Sequence, residues 1–203
     1  MNRTSSVIIL LLLAMTGAGA TYLVYYTSTP HIAAEQRLID RRNLLDLLPA
    51  DSYDNDPLQQ PLQPASSVLT HSRLLAGYLA TKGGQPSAVL LQSETIGYAG
   101  AIVLMIAIDT HGKLLGVKTL SQSETQGLGA RIADWPNAWL QGFTGKSRTG
   151  SPDNAWALRK DQGQFDQIAG ATITSRAVIN AVHDALKYFD AHSQMLTGNS
   201  PHE

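Results

Sequence analysis

The chain begins with an uninterrupted apolar run. Residues 7–26, VIILLLLAMTGAGATYLVYY, carry no charge, and about 20 such residues in a helix cross a hydrocarbon core of about 30 Å. Arg3 ahead of the run and Tyr22, Tyr25 and Tyr26 at its end suit a single transmembrane helix with an interfacial aromatic belt. A cleaved secretory signal is the competing reading, with residues 7–15 as its apolar centre and the Ala-Gly-Ala of residues 18–20 as its cleavage site. The run continues past Ala20 to the tyrosines, which favours the anchor. Either way, the bulk of the chain lies outside the cytoplasm. Basic residues do not orient the span, because Arg37, Arg41 and Arg42 follow it and Arg3 precedes it.

After the run the periodicity changes. In HIAAEQRLIDRRNLLDLLP (31–49), Ala34, Leu38, Leu45 and Leu48 share one face and Pro49 ends the pattern, which predicts an amphipathic helix packed on the domain. DNDPLQQPLQPASS (54–67) reads as a Pro-punctuated linker or surface loop. TKGGQPS (81–87) marks a turn and AVLLQSE (88–94) a strand. GYAGAIVLMIAID (97–109) and LLGVKTLSQS (114–123), joined by THGK, predict a hairpin. Its first strand is apolar throughout and is expected to be buried on both faces. ARIADWPNAWLQGF (130–143) predicts a short helix interrupted at Pro136, followed by a loop (146–154) and one more strand over AWALRK (155–160). Val178, Val182, Ala185, Leu186 and Phe189 recur at three- and four-residue steps, the stripe of a long helix. The order implies an α+β fold, an antiparallel sheet packed by helices. Its parts are a short N-terminus (1–6), the span (7–26), the amphipathic helix and linker (27–67), the folded domain (68–195) and a tail (196–203).

Composition narrows the chemistry. The 203 residues have a formal net charge of -1 and contain no cysteine. Disulfides, thiolate catalysis, iron–sulfur clusters and covalent c-type haem are excluded. Near-neutrality gives no electrostatic case for nucleic acid. The histidines form no HExxH or other metal pattern, so no metal is assigned. A chain like this that moves electrons needs an organic cofactor. Trp135, Trp139 and Trp156 read as core residues.

Two stretches remain. In FDQIAGATITSRAVIN (165–180), Thr172, Thr174 and Ser175 stand where the long helix starts, so one of them is a candidate cap. A helix start also presents N–H groups that suit a phosphate, and Gly170 and Ala171 allow backbone to approach a ligand. The residues alone lead to a capped helix or a phosphate site. Arg159 and Lys160 ahead of the loop are either phosphate-facing or solvated. The second stretch is SETQGLGARI (123–132), an ordinary polar loop if taken alone.

Together the two stretches resemble the FMN-binding domain family. Its flavinylation motif is Asp, two residues, Ser or Thr, then Gly-Ala-Thr, and its second motif is Glu-Thr-Pro-Gly-Leu-Gly. Order, spacing, length and the single N-terminal span resemble the G subunits of Rnf/Rsx electron-transport complexes over roughly residues 1 to 190. The paralogous C subunits of the sodium-pumping NADH:quinone oxidoreductase share the motif but are usually longer. The resemblance implies one covalent FMN, joined through its phosphate to Thr172. Gly170, Ala171, Ile173 and Thr174 would surround the attachment, with Thr174 serving the helix start. Glu124, Thr125, Gly127, Leu128 and Gly129 would lie beside the flavin. Asp166 would be recognised by an extracytoplasmic flavin transferase. Two residues depart from the pattern: Ala169 stands for Ser or Thr, and Gln126 for Pro.

The resemblance further implies a non-autonomous subunit of an inner-membrane complex that couples electron flow between ferredoxin and NAD to ion movement, with the domain on the periplasmic side. Some members also keep a redox-sensing regulator reduced. The partners so implied are the other members of the complex, the transferase and the lipid bilayer. A stand-alone secreted flavoprotein, cleaved at Ala20 and reducing an extracellular acceptor, is the alternative.

Overall fold

Residues 72–122 consist largely of β-branched and apolar side chains, and they form four long strands of an antiparallel meander. The computed structural model describes residues 12–19, 21–22, 47–49, 51–59, 61–62, 67–149 and 151–198. The chain divides into two units, Met1–Arg42 and Asn43–Glu203. In the first, residues 12–19 and 21–22 are helical. The rest of the apolar run lies outside the described residues, as do the tail beyond residue 198 and most of the amphipathic helix expected over 31–49. Among the described residues no helix is long and apolar enough to cross a membrane.

The second unit is built on a five-stranded sheet in the order β1 (Pro61–Leu62), β2 (Ser72–Lys82), β3 (Gln85–Ile96), β4 (Ala101–Asp109), β5 (Leu114–Gln122), every pair antiparallel. Two helices follow, the one-turn α1 (Ala138–Gln141) and the long α2 (Thr172–Thr197), which departs from helical geometry at His192. The α+β class with an antiparallel sheet is therefore as the sequence predicts.

Alternation along β3 and β4 sorts the core into two layers. Val89 pairs with Ile108 and Leu91 with Ile106. These side chains join Val178, Val182, Ala185, Leu186 and Phe189 of α2 in the larger cluster. Leu90, opposite Ala107, faces the other way, into a smaller cluster with Leu47, Leu48, Ala80 and Met105. β4 is thus buried on both faces, as its unbroken apolar run predicts. The Pro-rich segment is tied to the sheet: β1 pairs with β2, Asp54 N–H donates to the Thr81 carbonyl, and the Asn55 side chain bonds the backbone of both Leu79 and Thr81.

Two strand expectations are corrected. The strand expected from Gly97 starts at Ala101, and residues 97–100 form a tight turn closed by Gly97 N–H to the Gly100 carbonyl. AWALRK is not a strand. Two 3-10 turns, Asp153–Ala155 and Arg159–Asp161, overlap its ends, and Ala155, Ala157, Leu158 and Arg159 bond through their backbone to the loop 163–165. Buried Trp156 and Leu158 give it the alternation of a strand without a sheet to join. β2 is not assigned from the sequence: it carries no clean period because a register shift between Leu74 and Ala76 moves alternate residues to the opposite face.

An aromatic cluster fills the space under the 143–165 connection. Phe143 stacks on Phe165 at 4.6 Å, and Trp156 lies 5.4 Å from Phe165. On the other side of Trp156 the ring of His183 stacks at 5.2 Å. His183 touches Asp153, which also meets Lys187 and Arg148. The Asp153 carboxyl is held down to about 2, chiefly by the hydrogen bond from Lys187. Burial pushes His183 below its ordinary 6.5; the charges of Lys187 and Arg148 add to this and Asp153 opposes it.

The two groups act in different pH windows. The unfolded state binds a proton at His183 more readily, so stability is lost as pH falls below about 6.5. Asp153 keeps its contribution until pH drops below its ordinary 3.8 toward 2. Urea unfolding followed from about pH 7.5 to about pH 5 is therefore expected to show a falling stability, and His183→Gln to remove part of that slope.

Candidate functional site

The loop after β5 and the first turn of α2 meet in a cleft of about 460 Å³, lined by Tyr98, Glu124, Thr125, Leu128, Gly129, Gln167 and residues 170–174. Each wall has a local cause. On one side, the Thr125 carbonyl accepts from Leu128 N–H at 3.1 Å, closing a four-residue turn. Gly127, its third residue, has φ +76°, which a side chain disfavours. On the other side, the chain leaves Phe165 and is pinned at once by Trp139, whose indole N–H donates to the Asp166 carbonyl at 2.7 Å. Ala171 N–H then reaches the Ile168 carbonyl at 2.9 Å, and the chain turns into α2.

The walls are joined by one buried bond. The Thr174 hydroxyl donates to Glu124 Oε2, and Ala99 N–H of the 97–100 turn donates to Glu124 Oε1 at 3.0 Å. Both side chains are almost fully buried. Gly129 lies against this pair: a Cβ there would meet Thr174 Oγ1 at 2.6 Å and Glu124 Oε2 at 2.7 Å. Leu128 lies over Gly170.

This corrects the expected role of Thr174. The helix starts two residues earlier than expected, at Thr172, with Ala171 as its N-cap and no side-chain cap bond. Thr174 is spent on Glu124. Ser175 instead accepts from Ile168 N–H at 3.0 Å and donates to the Ala171 carbonyl at 2.8 Å, tying the loop to the helix. The first-turn N–H groups are thereby left without a capping side chain.

Of the expected site residues, Glu124, Thr125, Leu128, Gly129, Gly170, Ala171, Thr172, Ile173 and Thr174 line the cleft. Gly127 shapes the turn behind it. Asp166 faces away, exposed and 3.3 Å from Arg159. Three further residues complete the site: Lys160, which the sequence left open between phosphate-facing and solvated, and Tyr98 and Gln167, which it did not single out. Tyr98 projects from the 97–100 turn, Gln167 Oε1 accepts from the Thr172 hydroxyl at 2.9 Å, and Lys160 Nζ donates to the same hydroxyl at 3.1 Å. Gly97 and Gly100 bracketing Tyr98 were the available signal for the turn. Gln167 carries no such signal, and which of the two readings open for Lys160 holds depends on the fold of the 3-10 turn that carries it. Among the described residues no group of three His, Asp or Glu side chains is placed to hold a metal ion.

The FMN-binding domain family matches residues 97–187, which contain the whole cleft. The G subunit of the ion-translocating oxidoreductase complex of Pseudomonas aeruginosa is 46% identical over 187 residues, covering 91% of this chain and 87% of the relative. The chain belongs to the G-subunit family of ion-translocating oxidoreductase complexes. The corresponding G subunit of Shewanella loihica is 39% identical over the same length, with 91% and 88% covered. Among solved structures, the C subunit of the Na(+)-translocating NADH-quinone reductase of Parabacteroides distasonis has a TM-score of 0.48 at 25% identity, covering 58% of this chain and 62% of its own.

Two substitutions test the joint between the walls. Thr174→Val keeps the shape and leaves Glu124 without its hydroxyl donor; the expected loss of stability is about 1–3 kcal/mol. Gly129→Ala is expected to cost about 1–3 kcal/mol by overpacking the same pair. Urea denaturation of the two variants measures both. A loss in Thr174→Val no larger than that in the exposed control Ile173→Val would mean that the joint carries little.

Proposed function

We propose that the chain is the flavin-carrying subunit of an ion-translocating electron-transfer complex, with FMN esterified through its phosphate to Thr172. The observation that carries this reading is the position of the Thr172 hydroxyl. It stands part-exposed at the uncapped start of α2, inside a cleft bounded by both motif loops. The uncapped N–H groups and the positive end of the helix suit a phosphate there.

The rest of the cleft fits a flavin ring. Its volume lies within the range of about 300–1,000 Å³ usual for small-molecule sites. Tyr98, Leu128 and Ile173 expose large apolar surface at its walls, which a flat aromatic ring would cover. FMN supplies one- and two-electron carriage without a metal or a thiol from the protein. The chain's own residues bind and orient. The Glu124–Thr174 bond holds the walls at a fixed separation. Leu128 and Ile173 exclude water from the ring's surface. The ester keeps the cofactor from being lost into a dilute extracytoplasmic space.

In this reading residues 7–26 anchor the protein in the inner membrane, with the domain on the periplasmic side, where a flavin transferase reads the exposed Asp166. The coupled reaction is electron flow between ferredoxin and NAD; keeping a redox-sensing regulator reduced is a further role of such complexes.

Co-expression with a flavin transferase, followed by denaturing electrophoresis, tests the attachment. Flavin fluorescence and the added mass are expected in the wild type and in Thr174→Val, and neither in Thr172→Ala. Fluorescence kept in Thr172→Ala and lost in Thr174→Val would move the attachment to Thr174. The anchor is tested separately: the mature protein is expected to stay in the membrane fraction with residues 7–26 intact. A soluble periplasmic protein beginning at Thr21 would refute the anchor.

A further inference from the structure

Resting on the reading of Thr172 as the acceptor, we propose that Lys160 and Gln167 form a clamp on its hydroxyl. The clamp presents the oxygen for flavinylation, and Lys160 then remains as the counter-ion of the phosphodiester.

The hydrogen-bond directions fix the oxygen's state. An ammonium only donates, so Lys160 Nζ must give to Thr172 Oγ1, at 3.1 Å. The hydroxyl's own proton is directed at Gln167 Oε1, at 2.9 Å. One lone pair is thus engaged, the proton is turned aside, and the second lone pair is left for attack. The surrounding cations are differently employed. Arg159 lies 3.3 Å from Asp166, and Arg176 holds Asp161 through two bonds of 2.8 and 2.9 Å. Lys160 is aimed at a neutral hydroxyl, an assignment that gains its purpose when that oxygen bears a phosphate.

The covalent step balances with an activated flavin nucleotide as donor, its phosphate carried as a phosphoanhydride. Thr172 Oγ1 bonds to the flavin-side phosphorus. The P–O bond to the leaving phosphate breaks and its electron pair departs with that phosphate. The hydroxyl proton passes to water, and nothing is oxidised or reduced. The product carries one negative charge on its diester oxygens, which Lys160 meets with a charge-assisted bond. The ester oxygen has no proton to give, and Gln167 serves the diester through its amide NH2 group.

The test uses the full chain in detergent with flavin transferase and an activated flavin nucleotide. The rate of mass gain is measured for wild type, Lys160→Met, Lys160→Arg and Gln167→Ala. The 31P resonance of each labelled product is then recorded. Both side chains are exposed, so melting temperatures are expected to match the wild type. Lys160→Met is expected to be slowed about tenfold, the scale of one charge-assisted hydrogen bond, and its 31P resonance to move. Lys160→Arg is expected to recover most of the rate, and Gln167→Ala to be slowed less than Lys160→Met. Wild-type rates in Lys160→Met, or no recovery in Lys160→Arg, would overturn the clamp. A slowed rate with an unmoved 31P resonance would overturn the counter-ion and assign Lys160 to transferase recognition. A wild type that gains no mass would refute the acceptor reading itself, and the clamp with it.

Discussion

The bond between Thr174 and Glu124 joins two parts of the chain fifty positions apart in sequence. It is buried, it involves a carboxylate, and its other oxygen is held by the backbone of a third segment. Leaving such a carboxylate without donors is costly, so the three segments are placed together or not at all. The hairpin turn at 97–100, the loop after β5 and the first turn of α2 therefore form one rigid frame. Gly129 is required by that frame because the carboxylate and the hydroxyl occupy the space where a side chain would begin. Thr172 is then delivered to the cleft by its neighbours: the helix fixes its Cα, and the pinned loop before it fixes the direction of entry.

The layers of the fold were legible where burial follows a simple period. β4 reads as buried on both faces because its apolar residues do not alternate. The stripe of α2 reads as a helix because its steps are three and four. β2 was illegible because a bulge breaks its period at Leu75, and AWALRK misled because Trp156 and Leu158 alternate inward from a folded loop. At the site, the two motifs led to residues that do meet in one cleft. The role of Thr174 did not follow. A hydroxyl at a helix start has a local use as a cap, and only the tertiary arrangement offers it Glu124 instead. Gln167 was hidden for a related reason, and Lys160, left open between phosphate-facing and solvated, reaches Thr172 from a turn whose backbone is fixed by Phe165 and Leu158, not by any local preference.

The aromatic cluster links the core to the cleft. Phe143, Phe165 and Trp156 fill the space beneath the long connection, and Trp139 at its edge holds the Asp166 carbonyl. The loop before α2 is therefore suspended between two fixed points, the indole of Trp139 and the hydroxyl of Ser175. Its apolar residue Ile168 packs against the core while Asp166 and Thr172 stay accessible. A loop held in this way presents both side chains to solvent without the domain having to open.

The second face of the sheet sets a limit on how the domain can be shortened. Leu47 and Leu48 cover Ala80, Leu90, Met105 and Ala107, and β1 pairs with the outer edge of β2. A chain cut back to residue 68 keeps every residue of the cleft and the whole of α2. It also bares a continuous apolar face and an unpaired strand edge, the two surfaces from which sheets most readily associate with one another. Solubility of the isolated domain thus depends on Leu47 and Leu48, which cover the face opposite α2, and on β1, which covers the strand edge.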